Sequence, residues 1–274
     1  MSPLHERGFL SKDIESWIQK HRTENREWFE LAEDINFFSN KNLYPLSITK
    51  SSAKHLLVIT AYLRCLSEYQ GVILLIERGM IYEAATLARG LLETIFVLCA
   101  ASKSSDFALQ YIDSHNLIKY DLVKKMLDAN KSMRETIEAT ITKEEINKKR
   151  EELKSKGTRN FMIAEIAEKA DLVVLYRVNY SFLSLLAAHP TPYSLDKYFE
   201  VGPDGEPVGF FWGPDVEGVD KILSIVVETT IIAIEHVNEV FEQPWHQHIE
   251  AFKSKFRNLG EQLSDFSIGN IISR

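Results

Sequence analysis

The chain has 274 residues, of which 45% are hydrophobic and 11% aromatic, and it carries a formal net charge of −7. This composition is typical of an ordinary globular protein with a substantial core, in one large domain or two small ones. Its two cysteines, Cys65 and Cys99, have neither metal-ligand nor disulfide-framework spacing. The N-terminus, MSPLHERGFLSKD, has no apolar signal core, so a cytoplasmic location is expected.

Glycines and prolines are few, and half of them, ten of twenty, lie between residues 189 and 218, so long helices are expected on either side. Amphipathic spacing from Ser11 to Phe38 predicts one helix that covers the main bundle, with Ser11 as its N-cap. Ser51 or Ser52 caps a second helix that reaches about Arg78. A turn at Gly79 leads directly into a third helix, and so short a link requires helices two and three to be antiparallel.

The third helix, residues 80–101, is apolar except for Glu83, Arg89 and Glu93. A charged residue near the centre of a membrane span costs about 2.5 to 3.5 kcal/mol even on the insertion scale that penalises charges least. The segment is therefore predicted to be a core helix of the bundle rather than a membrane span. A core that contains a guanidinium and a carboxylate must supply partners for both groups.

Arg89 and Glu93 are one helical turn apart, with Arg before Glu, which is the less favourable order for a surface ion pair. Two interpretations remain open. The pair is a structural bracket between helices, whose net stabilisation is close to zero after desolvation, or it belongs to a substrate-binding or catalytic site.

Further helices follow from caps and apolar periodicity. They are predicted at 106–130 after Ser104 or Ser105, at 132–156 from Ser132 to a stop at Gly157, at 161–188 with a bend near Asp171, at 216–242, and at 245–258. Between them, the stretch KYFEVGPDGEPVGFFW at 197–212 has a Pro-Asp-Gly turn between two aromatic runs, which predicts a small β-hairpin.

The predicted fold class is thus all-α, an antiparallel helical bundle with a β-hairpin inserted near residues 197–212. The expected organisation has three parts: an N-terminal helix at 1–50 that covers the bundle, the bundle core at 51–242, and a C-terminal helix and tail at 243–274.

A second polar group of side chains falls in the helix that ends at 188. Tyr176, Tyr180 and Ser184 recur every four residues, and His189 follows just before Pro190. Proline disfavours helical geometry in the residue before it, which places His189 at the helix end, where free carbonyls attract a protonated imidazole. The alternatives are a histidine C-cap with tyrosines that satisfy core hydrogen bonds, or a site in which His189 faces Arg89 and Glu93.

Metal and cofactor signatures are lacking in the sequence. It has no Glu-x-x-His, no His-Glu-x-x-His, no Walker loop and no dinucleotide fingerprint, so no metal and no cofactor are expected. Residues 119–159 contain twelve Lys and Arg against eight Asp and Glu, whereas residues 195–245 contain two against eleven. Without interleaved aromatic residues, the basic stretch does not predict sequence-specific DNA readout.

The segments ATLARGLLETIFVL and YSFLSLLAAHP resemble a widespread bacterial family of helical proteins known only as a domain of unknown function. Its signature combines an Arg-x-x-x-Glu helix with a Tyr-x-x-x-Ser helix that ends in His-Pro or His-Gly. The resemblance covers roughly residues 56–220. It implies that Arg89, Glu93, Tyr180, Ser184 and His189 are the polar residues of the family, and it implies no particular activity.

A looser similarity is to helical RNase domains of toxin and phage-defence systems, although their Arg-to-His spacing precedes none of the eight histidines. In such an enzyme, histidine handles the 2′-hydroxyl proton and arginine stabilises charge on phosphorus.

The sequence is therefore consistent with two functions. In the first, Arg89, Glu93 and His189 act on a phosphodiester, with Tyr176, Tyr180 and Ser184 binding the substrate. In the second, the protein is a non-catalytic module for ligand sensing or protein interaction, and the cluster is structural. A small molecule or RNA is the expected ligand, no membrane partner is expected, and a homodimer is left open.

Overall fold

A computed structural model describes residues 6–49, 52–129, 141–188 and 192–262. These residues are mostly helical, with one two-stranded antiparallel sheet, so the predicted all-α fold with a small hairpin is confirmed. The helices are α1 (Ile14–Glu24), α2 (Arg26–Lys41), α3 (Ala53–Ile76), α4 (Ile81–Lys103), α5 (Ser105–Ala129), α6 (Lys143–Ser155), α7 (Ile163–Lys169), α8 (173–188), α9 (Pro192–Asp196), α10 (Val219–Val240) and α11 (His246–Gln262). The strands are β1 (Phe199–Val201) and β2 (Pro207–Phe210).

The centre of the bundle is the helix pair α3 and α4, with α10 packed across both. Ser52 begins α3, because its hydroxyl accepts the backbone N–H of His55 at 3.2 Å. Gly79, at φ +72°, reverses the chain between the two helices. From Leu91 to Ser102 every residue of α4 except Glu93 is buried, which agrees with the apolar character of this stretch.

Helix α4 is also, among the described residues, the one helix long and apolar enough to cross a membrane. Its apolar window is 72% buried inside the bundle. Neighbouring helices cover this surface, as expected for the core helix that the sequence predicts.

Outer helices cover the centre on three sides. On one side, α2 and α11 both pack on α10. Edge-to-face ring pairs also join α2 to the C-terminal segment, such as Trp28 with Phe256 and Phe38 with Trp245. On another, α7 and α8 lie along α4. Helices α5 and α6 pair with each other, and α5 also contacts α3.

The prediction of one helix from Ser11 to Phe38 is wrong, because Asn25 leaves helical geometry at φ −112° and ψ 31° and separates α1 from α2. Its side-chain amide donates to the His21 carbonyl at 3.1 Å, a local bond that competes with helix continuation. Ser11 is not the N-cap either. It forms a local turn with Asp13, and α1 begins at Ile14.

The charged helix also begins later than predicted. Thr142 is extended and forms a capping box with Glu145, so α6 starts at Lys143. Ser132, the predicted start, lies outside the described residues. The bend predicted near Asp171 is present, since this residue has φ +61° between α7 and α8. The division at residues 50 and 242 stays a prediction.

Candidate functional site

Helix α8 carries two wide turns that the sequence pattern did not indicate. Tyr176–Tyr180 and Ser184–Ala188 are π-helical, with an α-helical turn at Ser181–Leu183 between them. Turns of this kind are rare and are frequent at functional sites. Both π segments lie along α4, and each contributes one hydroxyl to the same arginine there.

That arginine is Arg89, and it joins α4 to α8. Its Nε donates to Ser184 Oγ at 2.9 Å, and its Nη2 donates to the Tyr180 hydroxyl. The guanidinium carbon also lies 4.6 Å from the centroid of the Tyr180 ring. Ser184 in turn donates to the Tyr180 backbone carbonyl at 2.7 Å. The arginine therefore holds the side chains of two successive turns of α8.

Glu93 completes this group. Its Oε1 lies 3.2 Å from Arg89 Nη2 and accepts a 2.9 Å hydrogen bond from the Tyr180 hydroxyl. The phenol thus accepts from the cation and donates to the carboxylate. Burial, reinforced by the carboxylate of Glu93, raises the pKa of Tyr180, so the hydroxyl keeps the proton that it donates. We call Arg89, Glu93, Tyr180 and Ser184 the Arg89 cluster.

The prediction that Arg89 and Glu93 are buried is wrong in degree. Their side chains are 28% and 40% exposed, because α8 covers only one side of the pair. Tyr180, at 9% exposure, is the buried member of the cluster. Tyr176 lies next to it, with ring centroids 5.2 Å apart in a stacked arrangement. His189, the third predicted catalytic residue, lies outside the described residues.

On its open side, Glu93 lines a cavity of about 610 Å³ between α3, α4, α5 and α7. Most of the wall is apolar, with Leu57, Val97 and Phe161 among its side chains. Eight polar side chains also line it, namely Thr60, Arg64, Glu93, Thr94, Tyr111, Ser114, His115 and Asn116. This cavity could not be predicted from the sequence, because α5 and α7 contribute to it from distant parts of the chain.

A second Arg-x-x-x-Glu turn stands on the cavity wall. Arg64 Nε donates to Glu68 Oε1 at 2.8 Å, and the other oxygen of Glu68 accepts from Thr94 at 2.9 Å. Glu68 is only 8% exposed, and a buried carboxylate needs such partners. The signal was present in the sequence, since Arg64-Cys-Leu-Ser-Glu68 repeats the spacing of Arg89 and Glu93 on the preceding helix.

Tyr111 lies within the electrostatic influence of both turns. Burial is the main cause that raises the pKa of Tyr111. The positive charge of Arg64 opposes this rise, and the negative charge of Glu93 adds to it. The cavity therefore has a cationic and an anionic side chain on its wall, with a protonated phenol within range of both charges.

Within the described ranges, no group of three or more His, Cys, Asp or Glu side chains is arranged to hold a metal ion. Cys65 and Cys99 are both buried and free, and burial raises the pKa of each thiol.

A family model matches residues 55–207, more than half of the chain, and describes a family of unknown function, DUF5677. The chain belongs to this family. No curated protein and no solved structure matches it. The resemblance to an uncharacterised helical family is confirmed, whereas the looser similarity to RNase domains is not. The DUF5677 segment contains the Arg89 cluster, the Arg64 turn and the part of α5 that lines the cavity.

Proposed function

We propose that this DUF5677 protein binds a small organic molecule in the cavity beside Glu93 and senses that molecule rather than converting it. One observation carries the proposal. Glu93 belongs both to the cavity wall and to the Arg89 cluster that fixes α8 against α4. A ligand that approaches Glu93 would change the charge balance of the contacts that hold α8.

The size and chemistry of the cavity support a small-molecule ligand. Ligand pockets usually measure about 300 to 1,000 Å³ and combine apolar walls with a few placed polar groups. This cavity, at about 610 Å³, is lined by apolar side chains from four helices and by eight polar ones. The positive charge of Arg64 and the negative charge of Glu93 suit a compound with an apolar body and charged groups of both signs.

The contacts of Arg89 support sensing over catalysis. Its Nε and Nη2 already donate to Ser184 and Tyr180, and Nη2 forms an ion pair with Glu93, so these atoms serve the joint between two helices. A ligand that withdraws Glu93 from this joint weakens the hold on α8, and a binding event shifts an equilibrium only through such a difference in contacts.

An anionic fluorescent dye, 8-anilinonaphthalene-1-sulfonate, tests the binding cavity, because its rings suit the apolar wall and its sulfonate suits Arg64. Thr60→Trp places a large ring in the cavity from an exposed position of α3. Ser67→Trp is the matched control, since Ser67 is exposed on the same helix and, like Thr60, bonds only its own helix backbone. We expect Thr60→Trp to raise the dye's Kd at least tenfold and Ser67→Trp to leave it within twofold. Equal binding by the two variants would reject the cavity as the site.

Phosphodiester cleavage is the second candidate function. The observation in its favour is that His115 and Arg64 line the same cavity, where a proton-transfer group and a phosphate-stabilising group would both be needed. His115→Ala should then abolish RNA cleavage by the purified protein without lowering its melting temperature. Unchanged cleavage by this variant, or none by the wild type, removes this candidate and leaves the sensing proposal standing.

A further inference from the structure

A lysine ammonium is held between aromatic rings at the N-terminal end of α4. Lys197 Nζ lies 3.2 Å from the centroid of the Tyr82 ring and 4.4 Å from that of Tyr198. Cations within about 6 Å of a ring face are attracted by its quadrupole. Trp212 adds a third ring, tilted 32° to Tyr198 with centroids 6.2 Å apart, and Phe9 packs edge-on against Trp212. We call Tyr82, Tyr198 and Trp212 the aromatic cage.

Acidic groups surround the cage at longer range. Glu83 and Asp215 both line the small pocket there, and both act on Lys197 through charge interactions. Burial outweighs them and lowers the pKa of Lys197. The buried ammonium of Lys197 therefore exchanges its contacts with water for contacts with two ring faces rather than for an ion pair with a carboxylate.

The cage has access to solvent and some free space. A cavity of about 80 Å³ remains beside Lys197, and Trp212 at its rim is 61% exposed. This free space is well below the roughly 300 to 1,000 Å³ of most ligand pockets. The space becomes large enough for a trimethylammonium group only if the lysine side chain swings out.

We propose that the aromatic cage is a binding site for a small alkylated ammonium compound, such as choline, and that Lys197 occupies it in the absence of that compound. Aromatic rings with acidic groups nearby recognise quaternary ammonium ligands, because such cations have no N–H for a carboxylate to accept. The site shares no residue with the cavity beside Glu93, so it stands independently of the proposed sensing function.

Choline titration of the Lys197→Ala variant tests the site, by calorimetry and by tryptophan fluorescence. Removing the built-in cation should tighten choline binding roughly tenfold relative to the wild type, because the compound no longer competes with Lys197. Lys169→Ala is the matched control. It removes one exposed positive charge on α7, outside the pocket lining, and should leave the wild-type affinity unchanged.

The neutral isostere 3,3-dimethylbutan-1-ol separates charge recognition from apolar packing. It should bind Lys197→Ala at least tenfold more weakly than choline does. Adding Tyr198→Leu to Lys197→Ala should weaken choline binding about tenfold, since one ring face is lost. Equal affinity for choline and its isostere, or no gain in Lys197→Ala, would overturn the proposal.

A measurement on the wild type decides the question if Lys197→Ala fails to fold. Saturating choline should expel the ammonium and speed the modification of Lys197 by acetic anhydride, followed by mass spectrometry, with Lys169 as internal reference. An unchanged modification rate would overturn the proposal. Phosphatidylcholine vesicles test the other source of this head group, and binding to vesicles without binding of free choline would also overturn it.

Discussion

Arg89 and Tyr180 lie 91 residues apart in the chain, yet a guanidinium hydrogen bond and a ring contact of 4.6 Å join them. The same phenol hydroxyl donates a hydrogen bond to Glu93. Within the joint between α4 and α8, the Tyr180 hydroxyl therefore contacts a cation and an anion together.

Tyr180→Phe removes that hydroxyl and keeps the ring. Hydrogen bonds to charged groups contribute about 1.5 to 3 kcal/mol. Because Arg89 and Glu93 are partly exposed and solvent screens their charges, we expect the free energy of unfolding to fall by about 1 to 2 kcal/mol. Urea denaturation measures this change. Tyr176→Phe is the matched control, because Tyr176 stacks on Tyr180 while the bonds to Arg89 and Glu93 are made by the Tyr180 hydroxyl. A double-mutant cycle with Arg89→Ala should give a coupling energy of at least about 0.5 kcal/mol. Additive losses would show that the two side chains do not interact.

Arg64→Ala tests the second Arg-x-x-x-Glu turn. It leaves the buried carboxylate of Glu68 with Thr94 as its remaining bonded partner, so we expect a loss of about 1 to 2 kcal/mol. Arg26→Ala is the matched control, because Arg26 and Glu30 form the same i,i+4 pair with both side chains exposed. This exposed pair should contribute much less, because solvent screens the two charges. Equal losses in thermal denaturation would show that the burial of Glu68 adds nothing.

The Ser52 cap, the antiparallel order of α3 and α4, and the hairpin were predictable, because each depends on neighbours in sequence such as Ser52 or Gly79. Half of the Arg89 cluster was predictable for the same reason, since Arg89 and Glu93 share a turn. Their long-range partners were recognised as residue types, but the contacts with Tyr180 and Ser184 depend on two π turns that no residue pattern marks. The cavity depended on how α5 and α7 dock, which periodicity does not encode.

Stability should depend on pH through Glu228, which lies half-buried on α10 and whose pKa is raised by burial. Glu228 binds its proton more tightly in the folded protein than in the unfolded chain. It therefore contributes most to stability below the unfolded pKa of about 4.3, where the folded and unfolded proteins are both protonated. This advantage is lost as the pH rises through the folded pKa. Glu228→Gln should therefore stabilise the protein at pH 7 relative to the wild type and have a smaller effect at pH 4, measured by urea denaturation. Equal effects at the two pH values would show that Glu228 titrates as it does in the unfolded chain.

Gly79→Ala should destabilise the protein more than Gly157→Ala. Both glycines have positive φ, at +72° and +77°, which costs an alanine about 1 to 2 kcal/mol. A Cβ at position 79 would also lie 2.6 Å from Trp17 and 2.8 Å from the backbone nitrogen of Asp215, whereas nothing lies within 4 Å at position 157. The difference in melting temperature between the two variants measures how tightly Trp17 and residues 214–215 pack against the α3–α4 turn. Equal losses of stability would mean that the neighbours of Gly79 move aside for the added Cβ at little cost.

The two π turns of α8 have a consequence for how this helix tolerates genetic change. An α turn holds 3.6 residues and advances the side-chain direction by about 100° per residue, whereas a π turn, bonded from i to i+5, holds about one residue more. Deleting one residue within 176–179 would therefore let that turn close as an α turn and keep Tyr180 near its present direction. Deleting one residue within the α-helical turn at 181–183 would instead rotate Ser184 by about 100°, away from Arg89, although its identity was unchanged. Relatives that keep the cluster should therefore tolerate a one-residue gap within 176–179 but not within 181–183.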